Sequence, residues 1–247
     1  MKFLIVLMMF LLNAQAVITI APVDIGKQPG LSGGIKGSFS TIRGNTDTDG
    51  YSAGLRMVYD NNSSYVAWSD IAFNYAKASG ELNTQNTYAH LRYIHTLYKK
   101  DVNWEAFIQS QTNKFTKIEK RLLAGLGLRY HTQMQDYGNI YVGFGAFSEY
   151  IKYTTSVDPS EHNLRLNMYI AYKNRFIKNV RFSYIGYYQP RADIFSDAIA
   201  SNAAELRVTI YKQLSINFEL TYNQDTKPAI GVKKYDFSQK TSFVYDF

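Results

Sequence analysis

Four histidines, one serine on an otherwise apolar face, and a set of charged side chains at alternate positions carry the chemical potential of this 247-residue chain. A serine beside a histidine and a polar orienting group would support acyl transfer or lipid cleavage. His90 and His131 fall on faces assigned to an interior, whereas His95 falls on the opposite face of its segment and His162 falls in a loop. Ser110 shares a register with Ile108, near one end of its segment, and no histidine stands at the matching height of the next segment. The histidines therefore read as scattered polar residues, and no catalytic residue is assigned. With no cysteine, no HExxH and dispersed histidines, no metal is assigned either. The acidic stretches NTDTDG at 45–50 and SVDPSE at 156–161 read as solvated turns. Phosphate-cradling glycine loops are absent, so no cofactor is expected. The net charge of +7 is spread along the chain without a nucleic-acid-binding motif, which points to anionic lipid headgroups rather than nucleic acid.

The charged residues form a more coherent set. Asp70, His90, Arg92, Glu105, Arg129, Glu149, Arg165, Lys173, Arg181, Glu205, Arg207 and Glu219 all fall on the less apolar faces of alternating segments. Eight of them, Glu105, Arg129, Glu149, Arg165, Arg181, Glu205, Arg207 and Glu219, are expected to form an interior charge network. Glu105 is expected to neighbour Arg129 near one end, and Glu149 to neighbour Arg165 near the other. Opposed charges contribute about 0.2–1 kcal/mol on an ordinary sheet face. Breaking one pair in a narrow, dry interior would cost about 3–5 kcal/mol.

The elements that must position these residues are strands. In KRLLAGLGLRYHT, Leu122, Ala124, Leu126, Leu128 and Tyr130 alternate with Arg121, Leu123, Gly125, Gly127 and Arg129. VNWEAFIQSQT, NIYVGFGAFSEY, NLRLNMYIAYK and LSINFELTYN repeat this period of two, the signature of a strand. Seven weaker strands lie at roughly 32–42, 51–60, 65–76, 87–98, 179–189, 203–211 and 236–247, which brings the expected count to twelve. Tight turns are expected at 60–63, 99–101, 173–176 and Lys212-Gln213, and longer loops at 43–50, 77–85, 154–162 and 190–201.

The first residues, MKFLIVLMMFLLNAQA, combine one lysine, an apolar run and a small-residue cleavage site. Residues 1–16 are therefore expected to be a signal peptide and 17–31 a periplasmic lead-in. Residues 32–247 are expected to form the domain itself. Each clear strand has one continuous apolar face and one face mixing glycine, aromatics, amides and isolated charges. A soluble sandwich would expose plentiful lysine and glutamate instead. An exported chain of this pattern fits an all-β, closed, antiparallel up-and-down transmembrane β-barrel in the bacterial outer membrane. Closure is required because unpaired backbone groups in hydrocarbon cost several kcal/mol each. In TSFVYDF, Phe243, Tyr245 and Phe247 share the lipid-facing side of a closing strand. A terminal phenylalanine with aromatics two and four residues earlier looks like the signal read by the outer-membrane assembly machinery.

The stretches LSGGIKGSFSTIRGNTDTDGYSAGLRMVYD at 31–60, WEAFIQSQTNKFTKIEKRLLAGLGLRY at 104–130 and TYNQDTKPAIGVKKYDFSQKTSFVYDF at 221–247 resemble the domain of unknown function 481 (DUF481) family of bacterial outer-membrane proteins, some described as salt-induced. Trp104, Phe115, Arg121, Gly125, Gly127 and Arg129 carry the resemblance in the middle stretch, and Pro228, Gly231 and Asp236 in the last. At the first hairpin Arg43-Gly44-Asn45 stands where family members often carry an SGN-like triplet. The resemblance implies an outer-membrane barrel and no particular activity. Three functions stay open from sequence: a non-enzymatic barrel with a structural or envelope-stress role, a narrow channel for ions or small solutes, and a surface lipid-modifying enzyme. The expected partners are outer-membrane lipid, lipopolysaccharide and the assembly machinery, with the chain acting as a monomer. The glycine pairs Gly125/Gly127 and Gly143/Gly145 allow either open lumenal space or aromatic rings packed onto bare backbone.

Overall fold

The computed structural model describes residues 23–42, 48–78, 81–99 and 101–247. The chain folds as β1 (Gly30–Ile42), β2 (Thr48–Asp60), β3 (Tyr65–Ala78), β4 (Glu81–Tyr98), β5 (Val102–Asn113) and β6 (Ile118–Met134). These are followed by β7 (Gly138–Tyr153), β8 (Glu161–Ile177), β9 (Val180–Pro190), β10 (Ala198–Tyr211), β11 (Leu214–Asp225) and β12 (Tyr235–Asp246). Each strand pairs antiparallel with its sequence neighbours, and β1 pairs with β12 to close a barrel of twelve strands. Among the described residues no helix is long and apolar enough to cross a membrane.

Several strands run further than the periodicity alone suggests. β4 starts at Glu81 rather than 87, β10 at Ala198 rather than 203, and β1 begins at Gly30, inside the expected lead-in. β8 continues through Lys173–Phe176, expected as a turn, and the reversal falls at Lys178 and Asn179 instead. His162, expected in a loop, is the second residue of β8. The cause is common to all these shifts. Hydrogen bonds to an already formed neighbour extend a strand through polar residues that show no alternation of their own. The Arg43-Gly44-Asn45 turn and residues 1–22, with the expected signal peptide, lie outside the described residues.

One end of the barrel carries the tight turns and the outer termini of β1 and β12; it is called the turn end. Asn62, Lys99 and Lys212 take positive φ there, as short hairpin turns require. The other, loop end carries the connections between β7 and β8, β9 and β10, and β11 and β12. Most outward side chains along the middle of the strands are apolar. Leu126 (65 % exposed to the barrel's surroundings), Phe144, Leu164, Ile170 and Phe218 present hydrocarbon to lipid. Tyr59, Tyr65, Tyr93, His95 and Trp104 form a ring-to-ring belt at the turn end, with centroid separations of 5.3–6.1 Å. Amphipathic rings of this kind suit the membrane–water interface.

The closing seam is the shortest in the barrel. β1 and β12 pair over Gly34–Gly37 and Phe243–Asp246. Gly33 and Phe247 extend the seam by exchanging backbone hydrogen bonds of 3.0 and 2.9 Å. Gly33 is required there, because a Cβ would collide with the Arg56 carbonyl oxygen and lie 2.7 Å from the Phe247 ring. Phe243, Tyr245 and Phe247 point outward.

Candidate functional site: the barrel lumen

The twelve charged or titratable residues that the sequence places on the less apolar faces all lie on the inner wall, as the period of two dictates. They divide between two unlike halves of the lumen. On the β4–β8 side the interior is filled. His90 stacks with Trp68 (5.0 Å), Tyr88 (6.1 Å) and Phe107 (5.6 Å), and its Nδ1 is 3.1 Å from Gln109 Oε1. The Arg92 guanidinium lies 5.1–5.9 Å from the rings of Phe107, Trp68 and Tyr169, a cation–π setting. Glu105 accepts from Arg92 (3.4 Å) and from the Tyr169 hydroxyl (3.1 Å).

The paired glycines belong to this packing. A Cβ on Gly125 would lie 2.5 Å from the Phe107 ring and 2.7 Å from Phe147, and one on Gly143 would collide with the Tyr169 ring. Of the two uses left open for these glycines, rings seated on bare backbone is the one adopted at Gly125 and Gly143.

Towards the loop end a charge cluster closes the same side. Glu149, 1 % exposed, accepts from Arg121 Nε (2.6 Å), Arg165 Nε (2.6 Å) and Asn163 Nδ2 (3.2 Å). Arg165 also reaches Asp197 at 3.0 Å, and Arg191 meets both Asp197 (3.4 Å) and Asp193 (2.7 Å). Asp197 and Arg191 come from the β9–β10 connection, which folds inward over the wall. Arg191 holds the Asp193 carboxyl below its ordinary value through its hydrogen bonds. Asp158, in the acidic stretch at 156–161, braces loops: it accepts from Thr155 Oγ1 (2.7 Å) and the Ile230 amide (3.2 Å).

The structure brings Glu149 and Arg165 together but not Glu105 and Arg129. Arg129 instead donates to Asn103 Oδ1 (3.0 Å) and to the Val23 carbonyl (2.9 Å). The competitor is the segment from Val23 to Pro29, expected as a plain lead-in. It crosses the lumen at the turn end as a strap. At the β2 side Asp60 accepts from the amides of Gly26 (2.9 Å) and Gln28 (3.1 Å). Val23 and Ile25 pack on Val58, Val66, Trp68 and Ile94. At the far side Asp24 accepts from the Tyr141 hydroxyl (2.6 Å) and lies 3.9 Å from Lys173.

On the β9–β12 and β1–β3 side the lumen is open. A cavity of about 320 Å³ runs from Asp60 and Asp246 at the turn end to Ser52, Asn74 and Ser238 in the loop-end half. Its cations are Lys27, Lys36, Arg56, Lys173, Arg181, Arg207 and Lys240, and its anions Asp24, Asp60, Asp70, Glu205, Glu219 and Asp246. Most are paired. Lys36 binds Glu219, Arg56 binds Asp70 (2.8 Å), and Arg207 binds Glu205 and Asp246 (3.2 Å each). Lys240 donates to Asn74 (2.9 Å). Sequence reasoning did not include Lys36, Arg56, Arg121, Asp197 and Lys240 in the network. For the first three and Lys240 the alternation that placed the others would have served.

Outside the lumen, Ser110 faces outward between Ala89 and Leu122 on the neighbouring strands. His162 faces outward with its ring 4.7 Å from that of Tyr150. His131 faces inward, 3.0 Å from Asn139 Oδ1.

The family model described as "Protein of unknown function, DUF481" matches residues 36–247. Comparison with curated protein sequences finds no match. Among solved structures, the fold is similar to an outer-membrane channel from Pseudomonas putida F1, with a TM-score of 0.55 at 11 % identity over 93 % of this chain and 100 % of that one. It is also similar to the NanC porin, with a TM-score of 0.53 at 11 % identity over 87 % of this chain and 98 % of that one. At these identities the likeness is one of fold: an outer-membrane β-barrel.

Proposed function

We propose that this chain, which belongs to the DUF481 family, is a non-enzymatic, monomeric barrel of the bacterial outer membrane that forms a narrow channel for ions or small polar solutes. The carrying observation is the one-sided cavity of about 320 Å³ with charged walls along the β9–β12 and β1–β3 side. Charged side chains lining a wet path supply the fields that select among solutes. The turn end faces the periplasm in this reading, so the strap from Val23 to Pro29 narrows the periplasmic mouth. The outward aromatics contact lipid and lipopolysaccharide, and Phe243, Tyr245 and Phe247 are the element read by the assembly machinery. That solved porins and channels share this fold supports a channel over a purely structural barrel.

A structural or envelope-stress role is the second reading. The filled β4–β8 half of the lumen and the strap favour it, because both obstruct passage. Planar-bilayer recording on the folded, mature protein separates the two. The channel reading expects small, discrete conductance steps that rise when Asp24→Ala loosens the strap. A bare-bilayer baseline from protein folded by circular dichroism, in both parent and variant, would leave the structural reading.

A further inference from the structure

On the inner wall at the turn end, three arginines stand side by side. Arg181 on β9 is directly opposite Arg175 on β8 and directly opposite Arg207 on β10. Like charges directly opposed across strands are destabilising, and nothing in strand geometry requires them here. Arg207 has Glu205 and Asp246 to answer it. Arg175 and Arg181 have no hydrogen-bond or ion-pair partner among the described residues. Arg181 lines the cavity, and Arg175 lies towards the mouth on the same face.

A second observation points the same way. Arg207 Nε is buried without a hydrogen-bond partner. Buried polar atoms in folded proteins are normally satisfied by protein, water or ligand. Here that donor stands beside the Arg181 guanidinium, which makes no hydrogen bond and feels the Asp246 and Glu205 carboxylates only at longer range, on the wall of the cavity.

We propose that Arg175, Arg181 and Arg207 form a binding site for a small oxyanion, the carboxylate or phosphate group of a polar solute. Guanidinium groups recognise both through paired, charge-assisted hydrogen bonds, which a lysine at the same place does not reproduce. The bound anion offsets the repulsion within the arginine row. This deepens the channel reading, on which it rests for access, and makes the path anion-selective at its periplasmic end.

The test uses the folded mature protein in detergent and in planar bilayers, with inorganic phosphate and citrate as probes. Calorimetric titration expects binding of at least one probe, weakened by roughly tenfold or more in Arg181→Gln, as loss of a charge-assisted contact predicts. Arg181→Lys should recover the charge but not the full affinity. Under a salt gradient the parent should be anion-selective and Arg181→Gln less so. Binding without conductance would overturn the channel and keep the site. Conductance with neither probe bound, and with selectivity unmoved by Arg181→Gln, would overturn the site and keep the channel. Equal binding by the parent and Arg181→Gln would overturn the site as well.

Discussion

Replacing Glu149 by glutamine tests the division of the lumen most directly. The Glu149 carboxylate is 1 % exposed and takes guanidinium hydrogen bonds from both Arg121 and Arg165 at 2.6 Å. The three side chains are between 1 % and 8 % exposed, so solvent screening offers little relief. Arg165 keeps Asp197 at 3.0 Å after the change, whereas Arg121 keeps no carboxylate partner among the described ion pairs. Breaking one buried pair costs about 3–5 kcal/mol, because the remaining charge stays desolvated. Glutamine retains the shape and one acceptor oxygen, which places the expected loss near the lower end, about 3 kcal/mol. Urea unfolding of the refolded barrel in detergent reads this as a fall in midpoint with an unchanged slope. Removing the stranded charge as well, with Arg121→Met, should recover much of the loss, and a double-mutant cycle would isolate the coupling. Conductance should be nearly unchanged, since this cluster stands across the lumen from the cavity. A loss below about 1 kcal/mol, the range of exposed pairs, would mean that water reaches Glu149 and that the β4–β8 side is not packed.

Three further outcomes are expected. Leu126→Arg should destabilise the barrel by about 2–4 kcal/mol through burial of charge in lipid. Gly143→Ala should cost about 1–3 kcal/mol by overpacking against Tyr169, and tryptophan fluorescence during denaturation would measure both; a neutral Gly143→Ala would reject the ring-on-backbone packing. At the loop end, the Asp193 carboxyl should titrate below its ordinary value of 3.8 and return towards it in Arg191→Gln, as followed by carboxyl-carbon NMR. Because the folded value is depressed, the contact contributes above pH 3.8 and is lost as pH falls through the folded value. An unchanged titration in Arg191→Gln would show that the pair is not formed in solution.

The sequence by itself determined the strands, their facing and the class of fold. Side-chain alternation is a local consequence of extended backbone, so Leu126 and Gly127 take opposite faces whatever lies across the barrel. The same locality placed Glu149 and Arg165 on one face of adjacent strands, close enough to meet. It could not decide which charges actually pair. Glu105 and Arg129 occupy the same diagonal relation as Glu149 and Arg165, yet Arg92 and Tyr169 hold Glu105 while Asn103 and the Val23 carbonyl hold Arg129. That outcome depends on a strap joined to the chain more than 100 residues earlier, and its path appears in no periodicity. Asp197 likewise reaches Arg165 only because the β9–β10 connection folds inward. The split of the lumen into a filled and an open half also belongs to tertiary structure. It follows from which large rings end up opposite bare glycine once closure of β1 on β12 fixes every strand's neighbours.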